Sequence, residues 1–319
     1  MNRLRTNRTI LPMKTLPRLL TLSAAFIAVP LFAGTSTRSV STSAETTAAP
    51  ANDGLSYEFD IEDAYVGDGD VTRGSRDVRE FDENNFLARF IFTPRVKFGI
   101  LRIGAEYERY DFGMPDFSQL PDTLQSAALV IGLDTEFSDS FLIRFEAHPG
   151  FYSSSNLDSS DFNAPMILGG SYIYSSNLQF VFGVGINYDA KYPVLPGGGI
   201  RWRFASQWVL NAVLPKPRLE FEATKNLTLY AGAEIKSGTY RVDDDFGDIN
   251  GPSRLNHAIL SYSEVRTGVG LEWKVASALK LGIEGGYQPY RDFDYYRANI
   301  RYHEDGGAPY GAISFHAAF

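Results

Sequence analysis

Residues 178–188 read LQFVFGVGINY, a stretch in which apolar side chains occupy every second position. One face consists of Leu178, Phe180, Phe182, Val184, Ile186 and Tyr188, and the other face includes Gln179, Gly183, Gly185 and Asn187. A period of two residues is that of a β-strand, whose side chains point alternately to the two sides of a sheet. The stretch therefore predicts a strand with one apolar face and one polar face.

The same alternation recurs along the chain from about residue 55. Leu55, Tyr57, Phe59 and Ile61 alternate with Ser and acidic residues, and 227–236 reads LTLYAGAEIK. The composition agrees with a strand-rich chain, because there are 23 Phe and 18 Tyr but only 4 Met, and aromatic residues favour strands. We predict an all-β chain with fourteen strands at 55–65, 86–96, 100–111, 124–137, 141–152, 165–174, 178–189, 197–205, 208–214, 218–224, 227–241, 257–274, 279–291 and 310–319.

The strand count depends on residues 208–224. Pro215-Lys216-Pro217 either form a turn between two short strands or interrupt one long strand. One long strand would give an odd total, whereas bacterial barrels have an even number of strands. We therefore predict fourteen strands, with twelve as the next count.

The connections between the predicted strands alternate in length. Short turns such as 175–177 alternate with longer polar loops at about 66–85, 112–123, 153–164, 190–196, 242–256 and 292–309. After the N-terminal segment there is no apolar stretch long enough for a spanning helix, and a closed barrel is the other fold that satisfies its backbone in hydrocarbon. Short turns on one side and long loops on the other predict a transmembrane antiparallel up-and-down β-barrel over residues 54–319.

Both signs of charge occur on the polar faces of the predicted strands. These faces would meet water in a soluble sandwich and would line the lumen of a barrel, so charge alone does not decide between the two folds. A lumen of fourteen strands is too wide to be filled by aliphatic side chains, so we expect the apolar faces to meet outer-membrane lipid. We predict a lumen lined by Arg89, Arg102, Glu106, Arg144, Glu146, Arg201, Arg203, Glu220, Glu222, Glu234, Lys236, Glu264, Arg266 and Glu284.

The first 33 residues have the order of a secretory signal. They contain basic residues but no acidic residue, and their apolar run 19–33 ends before Gly34. We predict that 1–33 is a cleaved signal peptide, with an uncleaved anchor as the alternative, and that either Met1 or Met13 is the start. The Ser-, Thr- and Ala-rich residues 34–53 are predicted to be a disordered linker.

Charge and cysteine content exclude several classes of partner. The chain has 30 basic and 38 acidic residues, and loss of the basic signal peptide makes it more acidic, so nucleic acid is not an expected partner. Because the chain has no cysteine, disulfides, thiolate metal sites and a lipid anchor on cysteine are excluded. No metal and no cofactor are expected.

The last strand carries a further signal. The chain ends in YGAISFHAAF at residues 310–319, with Ile313, Phe315 and Phe319 on one face. Together with the signal peptide and the many amphipathic strands, this ending resembles that of Gram-negative outer-membrane barrels. In that class the terminal Phe belongs to the signal read by the barrel-assembly machinery, which implies this role for Phe315 and Phe319. Residues 197–229 are similar to a group of bacterial barrels known only as a domain of unknown function.

Other candidate sites match no known chemistry closely. His148 with Ser153, Ser154 and Ser155 loosely resembles the His and Ser pair of outer-membrane lipid hydrolases, but the spacing does not match the motifs of those enzymes. The oxygen-rich loop 243–251 fails the spacing of an EF-hand, which favours a solvated acidic loop.

Glycine and aromatic residues within the strands are interpreted structurally. Gly183/Gly185 and Gly268/Gly270 are interpreted as positions where the wall bends or an aromatic ring packs across. Girdles at the two membrane interfaces are predicted to include Tyr107, Tyr110, Tyr188, Tyr192, Trp202, Trp208, Trp273, Tyr287 and Tyr290.

The sequence thus predicts a non-enzymatic outer-membrane barrel that acts as a passive channel or small-molecule transporter with a charged lumen. A non-conducting structural or adhesive surface barrel is the first alternative, and an outer-membrane lipid hydrolase is the second. The expected partners are outer-membrane lipid, the barrel-assembly machinery and a small solute.

Overall fold

The fold is that of a computed structural model, which describes residues 56–73, 76–114 and 119–319. The predicted signal peptide (1–33) and linker (34–53) lie outside the described residues. No helix in the described part of the chain is long and apolar enough to cross a membrane.

The described chain forms a closed barrel of fourteen antiparallel strands, which confirms the predicted fold and count. The strands are β1 (Tyr57–Arg73), β2 (Arg76–Phe92), β3 (Gly99–Gly113), β4 (Thr123–Ser138), β5 (Phe141–Ala147), β6 (Met166–Ser175), β7 (Leu178–Ile186), β8 (Val194–Ala205), β9 (Trp208–Val213), β10 (Arg218–Glu222), β11 (Leu227–Arg241), β12 (Ile259–Ala276), β13 (Leu279–Tyr295) and β14 (Ala308–Ala318). Each strand pairs with the next, and β14 pairs with β1 from Glu58 opposite Ala318 to Val66 opposite Tyr310, which closes the wall.

Several short elements accompany the barrel strands. Short strand segments lie at Arg95–Val96, Gly150–Ser153, Phe162–Asn163 and Ile300–Asp305. The helix α1 (Phe246–Asn250) and the 3₁₀ turns Ser159–Asp161 and Ser253–Leu255 lie in the long loops. We call the end of the barrel that carries these loops the outer end, and the opposite end the short-turn end.

The wall has two heights. The tall strands, β1–β4 and β11–β13, contain 15 to 18 residues each. The short strands, β5–β10, contain 5 to 12 residues each. About 9–11 residues suffice for a tilted strand to cross the hydrocarbon, so the tall strands project beyond it.

The tall strands close on each other beyond the ends of the short strands. Gly150–Ser153 continues β5 after His148 and Pro149 and pairs with β4. Ser153 lies beside Arg241 at the end of β11, and the amide of Ser154 donates to the Arg241 carbonyl at 3.0 Å. The outer part of the barrel is therefore narrower than the part below it, because the short strands are left out of its wall.

Two predicted loops are wrong in their extent. Residues 66–73 and 76–85 of the predicted loop 66–85 extend β1 and β2. The predicted loop 292–309 holds the end of β13, Ile300–Asp305 and the start of β14. Exposed side chains in the extension 300–305, such as Arg301 and His303, are polar because they project beyond lipid, so the apolar outer face that reveals a membrane strand is lost there. The turn at Pro215-Lys216-Pro217 between two strands is confirmed.

The outer surface of the barrel carries a band of exposed apolar side chains. Its members include Leu129, Ile131, Phe180, Phe182, Val269, Ile283 and Ile313, each 39 to 64% exposed. Soluble monomers rarely expose contiguous apolar surface of this kind, whereas a barrel wall facing lipid requires it. Trp202, Trp208 and Trp273 are also exposed, as the predicted girdle requires, but Tyr110 is 1% exposed and points into the protein, so its assignment to the girdle is wrong.

Candidate functional site

The interior of the outer end is filled by aromatic side chains. The rings of Tyr262 and Phe293 lie 4.9 Å apart between centroids, and Phe112 lies 5.3 Å from Phe293 and 5.6 Å from Tyr262. We call this group the aromatic plug, and it comprises Val71, Phe81, Tyr110, Phe112, Leu120, Leu124, Ala128, Tyr152, Tyr240, Val242, Phe246, Leu255, Leu260, Tyr262, Phe293, Tyr295, Ala298, Ile300 and Tyr302. Its side chains are at most 7% exposed, so they occupy the interior at this end.

A fully buried ion cluster adjoins the aromatic plug. Glu83 accepts from Arg266 at 2.9 Å, from Arg291 at 3.1 Å and from the Tyr262 hydroxyl at 2.6 Å. Arg266 also pairs with Glu264 at 2.9 Å. All these charged side chains are at most 1% exposed, so the cluster joins β2, β12 and β13 at a position shielded from solvent.

A second ion cluster joins β1, β2, β3 and β5. Arg89 lies 2.6 Å from Glu146, and Arg102 binds Glu146 at 2.8 Å and Glu58 at 3.0 Å. The His148 imidazole lies 3.0 Å from the same Glu146. One carboxylate therefore holds two guanidinium groups and an imidazole, and it leaves this part of the interior occupied.

Two lysines make a third ion cluster. Lys236 lies 3.0 Å from Glu62 and donates to Asn85 at 2.5 Å. Lys216, from the turn between β9 and β10, lies 2.8 Å from Glu234 and 3.8 Å from Glu62. This cluster ties the turn after β9 to the inner faces of β1 and β11.

Beside the third ion cluster, Arg218 binds Glu272 at 2.7 Å and Glu284 at 3.4 Å. Its guanidinium lies 3.9 Å from the centre of the Tyr230 ring. The hydroxyls of Tyr230 and Tyr310 donate to Glu284 at 2.7 and 2.5 Å. Gly270 and Gly268 leave room for these two rings, since an added Cβ would lie 2.4 Å from Tyr230 and 2.6 Å from Tyr310. The interpretation that aromatic rings pack across this glycine pair is confirmed.

The charged residues predicted to line the lumen lie in these clusters or in pairs nearer the short-turn end. The buried members are Arg89, Arg102, Glu106, Glu146, Glu234, Lys236, Glu264 and Arg266. The pairs nearer the short-turn end are Arg144 with Asp134 at 2.6 Å, Arg203 with Glu222 at 2.6 Å and Arg201 with Glu220 at 3.9 Å. That a solute passes along these residues stays a prediction.

A different wall lies on the side of the short strands. We call the inner face of β6–β8 the glycine wall, because Gly169, Gly183, Gly185, Gly197 and Gly199 occupy its alternate positions. These glycines differ in what surrounds them: Gly199 allows a close approach of the Ala212 backbone, whereas Gly185 leaves space in the lumen. An added Cβ on Gly185 would meet its nearest neighbour, the Leu195 carbonyl, only at 4.0 Å.

A cavity of about 730 Å³ follows the glycine wall. Its middle is bordered by Gly169, Ser171, Val181, Gly183, Gly185, Leu195, Gly197 and Val213, and none of these side chains is charged. Its short-turn end is bordered by Arg95, Lys97, Glu136 and the Arg144–Asp134 pair. Its outer end reaches Asn187, Tyr192, Leu214 and Pro215. Of the charged residues predicted to line the lumen, Arg144 borders this cavity.

The loop between β7 and β8 lies at the outer end of the cavity. We call residues 187–193 the roof loop. Within it, Asp189 lies 3.2 Å from Arg241 and Lys191 lies 2.9 Å from Asp294. The Asn187 side chain donates to Thr239 at 2.9 Å. The roof loop is therefore fastened to the tall strands β11 and β13.

No local sequence pattern indicates the aromatic plug, the roof loop or the cavity. Glu83 and Arg291 of the buried cluster fell in a predicted loop and at a predicted strand end, respectively. The signal for the cavity is the glycine at inner positions of three successive strands. Gly183 and Gly185 border the cavity, a role that the interpretation of a bend in the wall or a ring packed across does not include.

The weaker candidates are engaged in local structure. His148 binds Glu146, and Ser153 donates to the Asn156 carbonyl at 3.1 Å. In the acidic loop, hydrogen bonds from Ser253 and Asn256 lower the pKa of Asp248. Among the described residues no group of three or more His, Cys, Asp or Glu side chains has a geometry that could hold a metal.

The last strand joins the first at the short-turn end. The backbone of Phe319 exchanges two 3.0 Å hydrogen bonds with Tyr57. The ring of Phe315 lies 6.1 Å from that of Phe59, and the Phe319 side chain is 65% exposed. The role of Phe315 and Phe319 in assembly stays a prediction.

Solved structures with a similar fold include an outer-membrane channel, a toluene transporter and a porin. The chain is similar to an outer-membrane channel from Pseudomonas putida F1, with 8% identity over 85% of this chain and 99% of that chain and a TM-score of 0.46. It is similar to the Ralstonia pickettii toluene transporter TbuX, with 8% identity over 84% of this chain and 90% of that chain and a TM-score of 0.41. It is similar to the KdgM porin, with 12% identity over 82% of this chain and 99% of that chain and a TM-score of 0.35. These similarities concern the fold only and say nothing about what this chain transports.

Sequence comparison identifies the family of this chain. No curated protein matches the chain significantly. The family model described as Domain of unknown function (DUF6268) matches residues 93–308. Because this match spans more than half of the chain, the protein belongs to the DUF6268 family.

Proposed function

We propose that the protein is a passive outer-membrane channel for small solutes, with its route along the glycine wall. The observation that carries the proposal is the cavity of about 730 Å³, which runs from Arg95 beside the short turns to Pro215 at the outer ends of the short strands. A strand of nine residues, such as β7, approaches the length that crosses the hydrocarbon. A cavity along this strand therefore spans most of the membrane.

The opposite side of the interior is unsuited to a route. Its carboxylates and guanidinium groups are paired with each other, and the aromatic plug lies beyond them. Opening a path there would leave charges such as Glu83 and Arg266 without partners in a dry interior, which costs about 3–5 kcal/mol for a broken buried pair. The glycine wall needs no such rearrangement.

Passage at the outer end would require the roof loop to move. In its pair Lys191–Asp294 the lysine is 42% exposed, and exposed pairs contribute only about 0.2–1 kcal/mol each. The pair Asp189–Arg241 is more enclosed, at 16% and 17% exposed, and holds the loop more firmly. We propose that the roof loop closes the channel at rest and opens without an energy source.

Ion conductance in planar bilayers tests the proposal, with Gly185→Phe and Ile186→Phe as a matched pair. Position 185 faces the cavity and position 186 faces outward, so the same ring obstructs the route in one variant and meets lipid in the other. We expect conductance steps for the wild type and for Ile186→Phe, and a loss of at least half of the step size for Gly185→Phe. A wild type without conductance contradicts the channel and favours the non-conducting surface barrel.

We also propose that the protein reaches the outer membrane after removal of residues 1–33 and that the assembly machinery reads Phe315 and Phe319. The mass of the mature protein should then correspond to a chain that begins at Gly34. Phe319→Ala should slow the appearance of the heat-modifiable barrel in cells, and Ile313→Ala on the same face of the strand serves as the control. Recovery of the wild type from the soluble periplasm would contradict this location.

A further inference from the structure

The turn between β2 and β3 forms part of the short-turn mouth of the cavity. Residues 95–100 of this turn all border the cavity. The turn is held in place by strand pairing between Arg95 and Ile100 and by the Thr135 hydroxyl, which donates to the Phe98 carbonyl at 2.8 Å. A solute that follows the proposed route therefore passes this turn.

Two cationic residues of the turn lie on its inner side. On β2 the inner positions include Ile91, which is 0% exposed, and Thr93, which is 5% exposed. A period of two residues continues this inner series to Arg95 and Lys97. Both border the cavity and, unlike the inner residues before them, both are exposed to solvent. Their charges thus meet water at the mouth.

The charges at this mouth do not balance. Five charged residues border the cavity, namely Arg95, Lys97, Asp134, Glu136 and Arg144. Arg144 and Asp134 neutralise each other through two hydrogen bonds of 2.6 Å. Within the part of the chain that the structure describes, Arg95, Lys97 and Glu136 form no ion pair. Two unpaired cations therefore lie beside one unpaired carboxylate.

The excess positive charge is confined to one end of the cavity. The middle of the cavity and its outer end, at Asn187, Tyr192, Leu214 and Pro215, have no bordering charged side chain. Charges at the mouth of a cleft with low-dielectric walls act more strongly on a passing ion than charges on an open surface. The mouth is therefore the place along the cavity where anions and cations are distinguished.

We propose that Arg95 and Lys97 form a selectivity site at the short-turn mouth, which makes the channel prefer small anions to small cations. The inference rests on the proposed channel and names the class of solute that passes through it. Arg and Lys side chains that line a pore favour anions in this way. Because no charge borders the middle of the cavity, an anion drawn to the mouth is not held further along, so the site selects anions without trapping them.

Reversal potentials of the full barrel in planar bilayers, under a KCl gradient, test the proposal. We expect chloride to be about threefold more permeant than potassium in the wild type, the effect of one net charge that acts through water over roughly 7 Å. Arg95→Gln and Lys97→Gln should each lower this ratio. The double variant leaves Glu136 as the unpaired charge and should reverse the preference in favour of potassium, whereas Glu136→Gln should strengthen the preference for chloride.

Lys225→Gln is the matched control. Lys225 is an exposed lysine in another short turn, and it does not border the cavity, so its loss should leave the permeability ratio unchanged. All the substituted residues are exposed, and surface substitutions away from buried contacts change stability little. Each variant should therefore still assemble as a heat-modifiable barrel.

Two results would overturn the inference. One is equal permeability, or a preference for potassium, in the wild type, and the other is a preference for chloride that survives in the Arg95→Gln, Lys97→Gln double variant. In both cases the protein still conducts, so the channel stands and the selectivity site fails. Absence of conductance in the wild type would remove the channel and this inference with it.

Discussion

The two sides of the barrel interior differ in how far side chains fill the lumen. On the side of the tall strands, charged and aromatic side chains fill the lumen and pair with each other, as Arg89 and Arg102 do with Glu146. On the side of the short strands, glycine occupies the inner positions and leaves a cavity. A lumen of fourteen strands is wider than its own side chains need, and this chain places the excess space along one wall.

The difference shows that charge on an inner face does not by itself mark a route. Ions that are paired across strands stabilise and occupy the interior, whereas missing side chains leave it open. The glycine wall, whose sequence suggests only a structural role, is therefore the wall on which the proposed function depends.

The largest expected effect comes from the buried cluster on the charged side. Glu83→Ala would leave Arg266 and Arg291 without a shared carboxylate at a fully buried position, at a cost of about 3–5 kcal/mol. The midpoint of urea unfolding, followed by gel mobility of the unheated protein, should fall accordingly. Glu222→Ala removes the partner of Arg203 in a pair that is 36% exposed on both sides and should cost no more than about 1 kcal/mol. Equal losses in the two variants would contradict a dry cluster.

How far the sequence determines this architecture depends on where a residue lies relative to lipid. In the hydrocarbon the alternation of Phe180, Phe182 and Val184 with polar or small residues is enforced, because one face meets lipid and the other meets the interior. The strand count and the inner positions of the charged residues followed from that rule. The turn at Pro215-Lys216-Pro217 followed from the even number of strands.

Beyond the lipid the rule weakens, and the predictions failed there. In residues 300–305 the exposed side chains Arg301 and His303 are polar, while Ile300 and Tyr302 point inward into the aromatic plug, so the pattern is the reverse of that of a membrane strand.

Tyr110 carries an aromatic ring at a strand end, which suits an interfacial girdle as well as a plug. Tyr110 lies on the same strand face as the buried Glu106 and Glu108, so period two by itself points its ring inward, and the girdle assignment overlooked that parity. The closure of the tall strands, with Ser153 beside Arg241, is the contact between distant parts of the chain that leaves no mark in local sequence.

A second prediction sharpens the contrast between the two faces of one strand. Phe182→Arg places a charge against lipid at a cost of about 2–4 kcal/mol near the midplane. Gly185→Arg places the same charge in the cavity, where water can solvate it. The first variant should lower the yield of the heat-modifiable barrel and its unfolding midpoint, whereas the second should fold and conduct less. Normal folding of Phe182→Arg would contradict the position of this residue at the lipid surface.

The smallest effect on stability is expected at the roof loop. Asp189→Asn removes the charge that pairs with Arg241 at 3.2 Å and with Arg297 at 3.7 Å, a loss of about 1 kcal/mol or less for partly exposed pairs. The unfolding midpoint should hardly change, but the fraction of time spent in the conducting state should rise several-fold in single-channel recordings. Lys225→Gln, in a turn at the opposite end, should change neither quantity. An unchanged open fraction in Asp189→Asn would show that the roof loop does not control passage.

The position of the route is tested most directly by a single thiol, since the chain has no cysteine of its own. Gly185→Cys places a thiol in the cavity, and Ala64→Cys places one on the inner face of β1, where Ala64 is 0% exposed. A bulky methanethiosulfonate reagent applied during single-channel recording should reduce the current through Gly185→Cys and leave Ala64→Cys unchanged. Block through position 64 without block through position 185 would place the route on the charged side and contradict a channel along the glycine wall.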